Sequence, residues 1–97
     1  MSNISLDPNY LRTQASTYER ACDSIIQAKN DIDRTNADMG VHWNGNAYRA
    51  YIEQYRQLEV YMNKYSEMMQ EITKQLRNYS DVIEARDAED ATRFGLN

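Results

Sequence analysis

Gly40-Val41-His42-Trp43-Asn44-Gly45-Asn46, almost halfway along 97 residues, is the stretch that decides the fold. It holds two of the three glycines and the only tryptophan. The sequence on either side is nearly free of helix breakers, with a single proline, Pro8. Strong turn chemistry between two long breaker-free segments reads as a helical hairpin with a bulky aromatic at its bend.

Working outward toward the C-terminus, Tyr48, Tyr51, Tyr55, Leu58, Met62, Tyr65, Met69, Ile72, Leu76, Tyr79 and Ile83 alternate in steps of three and four. That is the spacing of a heptad seam on one helix face. Ile52, Val60, Tyr61, Met68 and Val82 lie off this line, so the apolar face is wider than a two-stranded seam needs.

Toward the N-terminus, Leu11, Tyr18, Ile25, Ile32 and Met39 recur every seven residues. Gln14, Ala21, Ala28 and Thr35 fill the alternate positions, and their mostly small size predicts close approach of a neighbouring helix. Asp7-Pro8 suits a helix start, since Asp caps free N–H groups and Pro fits the first turn. Gly40 is the expected C-terminal stop. The expected organisation is one all-α domain: helix one about 8–39, bend 40–46, helix two about 47–86, and a mobile tail 87–97. One hairpin gives each helix one neighbour, and the surplus apolar face asks for a second. Two hairpins forming a four-helix bundle satisfy it most simply.

The composition excludes several functions. A formal net charge of -4 with interspersed charges leaves no basic stripe for nucleic acid. Eight tyrosines could stack on bases or sugars, but five of them (Tyr48, Tyr51, Tyr55, Tyr65 and Tyr79) fall on the helix-two seam, where packing is their expected use. Low basicity argues against a membrane-surface helix, and no apolar run is long enough to span a bilayer, so no membrane insertion is expected. The N-terminus has no signal-peptide pattern. His42 is the only histidine, which leaves no second imidazole and no metal cluster. The carboxylates are scattered along both helices. The chain is therefore expected not to be an enzyme and to carry no cofactor or metal. Cys22 stands alone, so no intramolecular disulfide can form, and it reads as a small packing residue.

With Trp43-Asn44-Gly45 at the centre of a short helix-prone chain, the sequence resembles the WXG family, the ESAT-6-like small substrates of bacterial type VII secretion. The likeness covers nearly the whole length. It rests on Asp7-Pro8, on Trp43 and Gly45 followed by Asn46-Ala47, on Tyr55-Arg56-Gln57-Leu58, and on the ending Phe94-Gly95-Leu96-Asn97. It is nearest to members from Firmicutes, which often form homodimers. The resemblance implies a hairpin that dimerises into an elongated four-helix bundle. It also implies export without a cleavable signal peptide, through a membrane-anchored secretion ATPase.

Two tail signals go with that family. A Tyr followed four residues later by an acid fails at Tyr79, which is followed by Ile83; Tyr55 with Glu59 matches the letters but lies mid-helix. In the second pattern, Ile83, Asp87 and Phe94 fit, while Asp90 stands where an apolar residue is expected. As a helix on docking, this tail would present an apolar and acidic stripe; alternatively, its apolar residues fold back on the bundle. Two functions follow: a secreted dimeric substrate, or a targeting partner that binds the helical N-terminal domain of a larger toxin. Leu11, Tyr18, Ile25, Ile32, Tyr48, Tyr51, Tyr55, Leu58, Met62, Tyr65, Met69 and Ile72 are the expected seam for a second copy, another WXG-type protein or such a toxin.

Overall fold

A computed structural model describes residues 7–43 and 45–93, with no account of the side chains of 92 and 93. Two helices make up the described fold: α1, Pro8–His42, and α2, Asn46–Arg93. They run antiparallel. Arg12 meets Glu84, Glu19 meets Arg77, Cys22 meets Ser66 and Lys29 meets Glu59, stepping down one helix and up the other.

The start of α1 follows its local chemistry. Pro8 opens the helix, and the Asp7 carboxylate accepts the Asn9 N–H at 2.9 Å. The ends differ from the boundaries expected above. α1 continues through Gly40 to His42, and Trp43 caps it by donating its backbone N–H to the Met39 carbonyl at 2.7 Å. Gly40 is thus not the stop. Its missing side chain makes room for a phenol: a Cβ there would stand 2.7 Å from the Tyr48 hydroxyl oxygen. Gly45 provides the reversal, with φ at +113°, and a Cβ at this position would meet nothing within 4 Å. Its role is conformational, because L side chains avoid that backbone region.

α2 runs to Arg93, seven residues beyond the expected 86. The acidic last turns oppose the helix dipole, but Ala85, Arg86, Ala88, Glu89 and Ala91 are good helix formers, and their propensity carries the helix on.

The molecule is a rod of 74 × 23 × 16 Å, with a radius of gyration of 22.0 Å. A globular chain of this length would have a radius near ~13 Å. The 48 residues of α2 account for the long dimension at ~1.5 Å per residue. The shortest dimension is a single layer of helix. Stable domains pack at least two layers, and among the described residues one face of this hairpin has nothing over it.

What the helices bury between them is small and mostly polar. Among the described residues, Ala15, Cys22 and Asn36 of α1 and Ser66, Thr73 and Ser80 of α2 are buried, and Ser80 is fully enclosed. With Lys29 and Glu59 these form two seven-residue series, 15–22–29–36 and 59–66–73–80. The buried hydroxyls are satisfied within their own helix: Ser66 to the Asn63 carbonyl, Thr73 to Met69 and Ser80 to Arg77. Such back-bonding lets small polar residues sit inside without an unpaired group. The close approach therefore lies one residue later than the Gln14, Ala21, Ala28, Thr35 line. Ala28 and Thr35 are exposed. Cys22 is buried as expected, its thiol directed at the Ser66 carbonyl 3.5 Å away.

Candidate interface and bend

Helical spacing divides the hairpin into two faces on either side of that inner line. Residues three positions after an inner residue fall on one side: Tyr18, Ile25, Ile32 and Met39 on α1; Met62, Met69, Leu76 and Ile83 on α2. Leu11 continues this row and joins Ile72, Gln75, Leu76 and Tyr79 around a shallow groove of about 330 Å³, which places both helices' apolar rows on one face. Residues four positions after an inner residue fall on the other side, and there the charges pair.

The apolar face is open. Tyr18, Leu58, Tyr65 and Tyr79 are exposed, the last three by more than half. Leu11, Ile25, Ile32, Met62, Met69 and Ile72 are half-buried. Tyr61, Met68 and Val82 extend the exposed apolar area along the outer flank of α2. The total accessible surface is 7583 Å². A compact monomer of 11.4 kDa would expose about 5,800 Å².

The opposite face is held by ion pairs. Arg12 bridges Asp81 at 2.9 Å and Glu84 at 3.1 Å, and hydrogen bonds to Glu84 and then Asp81 raise its pKa. Arg77 grips the Glu19 carboxylate with two nitrogens, at 3.0 and 3.2 Å. The hydrogen bond from Arg77, then its charge, holds the Glu19 carboxyl below its ordinary range. This pair borders a groove of about 440 Å³ that also touches Cys22, Thr73, Lys74 and Asn78.

Toward the bend the interior becomes a tyrosine network. Tyr55 donates to Asp33 at 2.7 Å, Tyr51 to the Asn36 side-chain oxygen at 3.1 Å, and Tyr48 to the Asn36 carbonyl at 2.7 Å. Burial, and then the bond to Asp33, pushes the Tyr55 phenol up to about 12. Lys29 bridges Glu59 at 3.0 Å and Asp33 at 3.2 Å. Tyr55 and Glu59, the mid-helix pair with the tail-signal letters, are thus both engaged within the hairpin.

Trp43 closes this end. Its ring packs edge-on against Tyr48, with centroids 5.8 Å apart, and tilted against Tyr51 at 5.7 Å. It is still 40% exposed, so it both covers the bend and shows a surface to solvent.

Of the tail residues, Ile83 is half-buried and Asp87 exposed on α2, while Phe94 lies outside the described residues. Asp90 is exposed as well. Sequence reasoning missed Asn36 and the buried hydroxyls. Their signal is the 59–66–73–80 and 15–22–29–36 spacing, visible only when small and polar residues are followed as carefully as apolar ones. Among the described residues, no group of three or more His, Cys, Asp or Glu is placed to hold a metal ion, and no helix is long and apolar enough to cross a membrane.

Known proteins share this arrangement. Residues 3–88 match the family model WXG100, described as proteins of 100 residues with WXG. An uncharacterised protein of Clostridium acetobutylicum is 35% identical over 96 residues, covering 99% of this chain and all of that protein. Type VII secretion system extracellular protein A of Staphylococcus aureus is 28% identical over 96 residues, 99% of each chain. The crystal structure of Geobacillus thermodenitrificans EsxA superposes with a TM-score of 0.81 at 26% identity, covering 91% of this chain and 96% of that one. The Trp43–Gly45 bend, the paired long helices and these likenesses over nearly the full length agree: the chain belongs to the WXG100 family, the small helical-hairpin proteins of type VII secretion.

Proposed function

We propose that this protein is exported by a type VII system as a homodimer, a four-helix bundle in which the apolar face of one hairpin covers that of the other. The observation that carries the reading is the open apolar face on a single-layer hairpin. The rod exposes roughly 1,800 Å² more than a compact monomer would, spread over its whole length, and the apolar face is the part of it that a partner would cover. The role is one of binding and transport, not catalysis. Export proceeds without a cleavable signal peptide, from the cytoplasm to the outside. A secretion ATPase reads the C-terminal segment through Ile83, Asp87 and Phe94, and the half-exposed Trp43 bend is a second element of the recognised surface.

The relative named as an extracellular protein of type VII secretion supports this reading at the level of the family. The departure at Asp90 favours a second reading, in which a larger helical toxin supplies the missing apolar contact and this chain escorts it.

Light scattering across a dilution series, paired with a secretion assay, tests the proposal. A constant mass near twice 11.4 kDa, with export lost in Phe94→Ala while the dimer persists, is the expected result. A monomeric or loosely folded chain transfers the apolar face to a different partner. Normal export of Phe94→Ala removes the tail from the mechanism.

A further inference from the structure

Asn36 is buried, 5% exposed, and lies two helical turns before Trp43. Its backbone carbonyl accepts the Tyr48 phenol and its side-chain oxygen accepts the Tyr51 phenol. These are the two rings against which Trp43 packs. Gly40, one turn after Asn36, leaves the space the Tyr48 hydroxyl occupies. One residue of α1, almost fully buried, thus holds both halves of the aromatic seat at the bend.

The other end of the Asn36 amide is unpaired: its Nδ2 has no hydrogen-bond partner among the described residues. A buried unpaired N–H is unfavourable, and an apolar side chain of similar shape would avoid it. Packing alone therefore does not explain an asparagine here. What the amide adds is the acceptor for Tyr51.

We infer that Asn36 is the positioning residue of the bend: through Tyr48 and Tyr51 it fixes how the Trp43 indole is presented. The consequence for export rests on the reading of the bend as a recognised surface; the seating of the ring does not. Loss of the Tyr51 bond shifts the ratio of seated to unseated indole about two- to tenfold.

Trp43 is the only tryptophan, so its fluorescence reports on the bend alone. The full-length chain is compared as wild type, Asn36→Leu and Tyr51→Phe. In both variants, acrylamide quenching of Trp43 rises and the near-ultraviolet dichroism of the indole weakens. Helix content and solution mass stay unchanged, and any fall in the melting temperature of Asn36→Leu reflects the Tyr51 hydroxyl left without its acceptor. A purely structural asparagine would lower the melting temperature and leave the Trp43 signal unchanged. Unchanged quenching and dichroism in both variants overturn the inference. If Asn36→Leu fails to fold, Tyr51→Phe decides, since it keeps the ring and removes only the hydroxyl. Export of Trp43→Ala is measured alongside: normal export sinks the bend as a recognised surface, while the spectroscopic result still judges the role of Asn36.

Discussion

The two surfaces of this hairpin invert the usual order of a small protein. The line along which α1 and α2 meet is built from Ala15, Cys22, Lys29 and Asn36 against Glu59, Ser66, Thr73 and Ser80. The large side chains (Tyr18, Leu58, Tyr65, Ile72 and Tyr79) stand on the face that no part of the described chain covers. Small residues let the helices approach, and the Lys29–Glu59 and Asn36–Tyr51 contacts pin their register. Burial of such small side chains yields little hydrophobic free energy, which scales with apolar area removed from water. The hairpin's own interface thus defines geometry, while most of the large apolar side chains are left on the open face.

The sharpest way to break this contrast is to put a charge on the open face. Ile72→Asp leaves an uncompensated charge where the second hairpin is proposed to pack, a loss of about 3–5 kcal/mol. Sedimentation should show half the wild-type mass, and circular dichroism should show helix lost with the partner. The wild-type melting temperature should also rise with protein concentration, as for any fold coupled to association. A mutant that stays dimeric and fully helical would show that the inner line suffices alone.

The inner line is tested by overfilling it. Ser80→Leu forces a large side chain into a fully enclosed position and should cost about 1–3 kcal/mol in urea unfolding. The expected dimer mass is unchanged, because the open face is untouched. Loss of the dimer would mean that the spacing of the two helices shapes the outer face more tightly than a flexible rod allows.

The smallest effect belongs to the ion-paired face. Arg77 lowers the Glu19 pKa, so Glu19 favours the folded state above its unfolded pKa, and this contribution disappears as pH falls through the folded value. Melting curves below pH 4.5 should therefore be less steep in pH for Glu19→Gln than for wild type. At neutral pH and ordinary salt the two should melt nearly alike, since exposed pairs are screened.

Much of this is legible in the sequence. The bend follows from Trp43, Gly45 and the scarcity of breakers elsewhere, and the helix start from Asp7-Pro8. The apolar rows follow from their three-and-four spacing. The C-terminal boundary falls later than expected because the acidic run from Asp87 to Asp90 weighs as a dipole penalty, while the alanines within and beside it favour helix more strongly. Gly40 reads as a stop because a glycine near a turn usually is one; its actual use depends on a tyrosine eight residues later.

The sequence by itself determined that this chain makes two long helices joined at Trp43–Gly45 and that they carry more apolar surface than one hairpin can bury. Helix and turn preferences are local, and periodicity reports the size of an apolar face without regard to its neighbour. Only the tertiary structure decided which rows face inward. Rows a few residues apart differ by a modest rotation of each helix, and that rotation is set by how closely Ala15, Cys22, Ser66, Thr73 and Ser80 let the backbones meet. The same rotation buries Asn36 beneath the bend, where its two oxygens reach Tyr48 and Tyr51. No spacing rule reveals that contact, because it joins residues 12 and 15 positions apart across the turn.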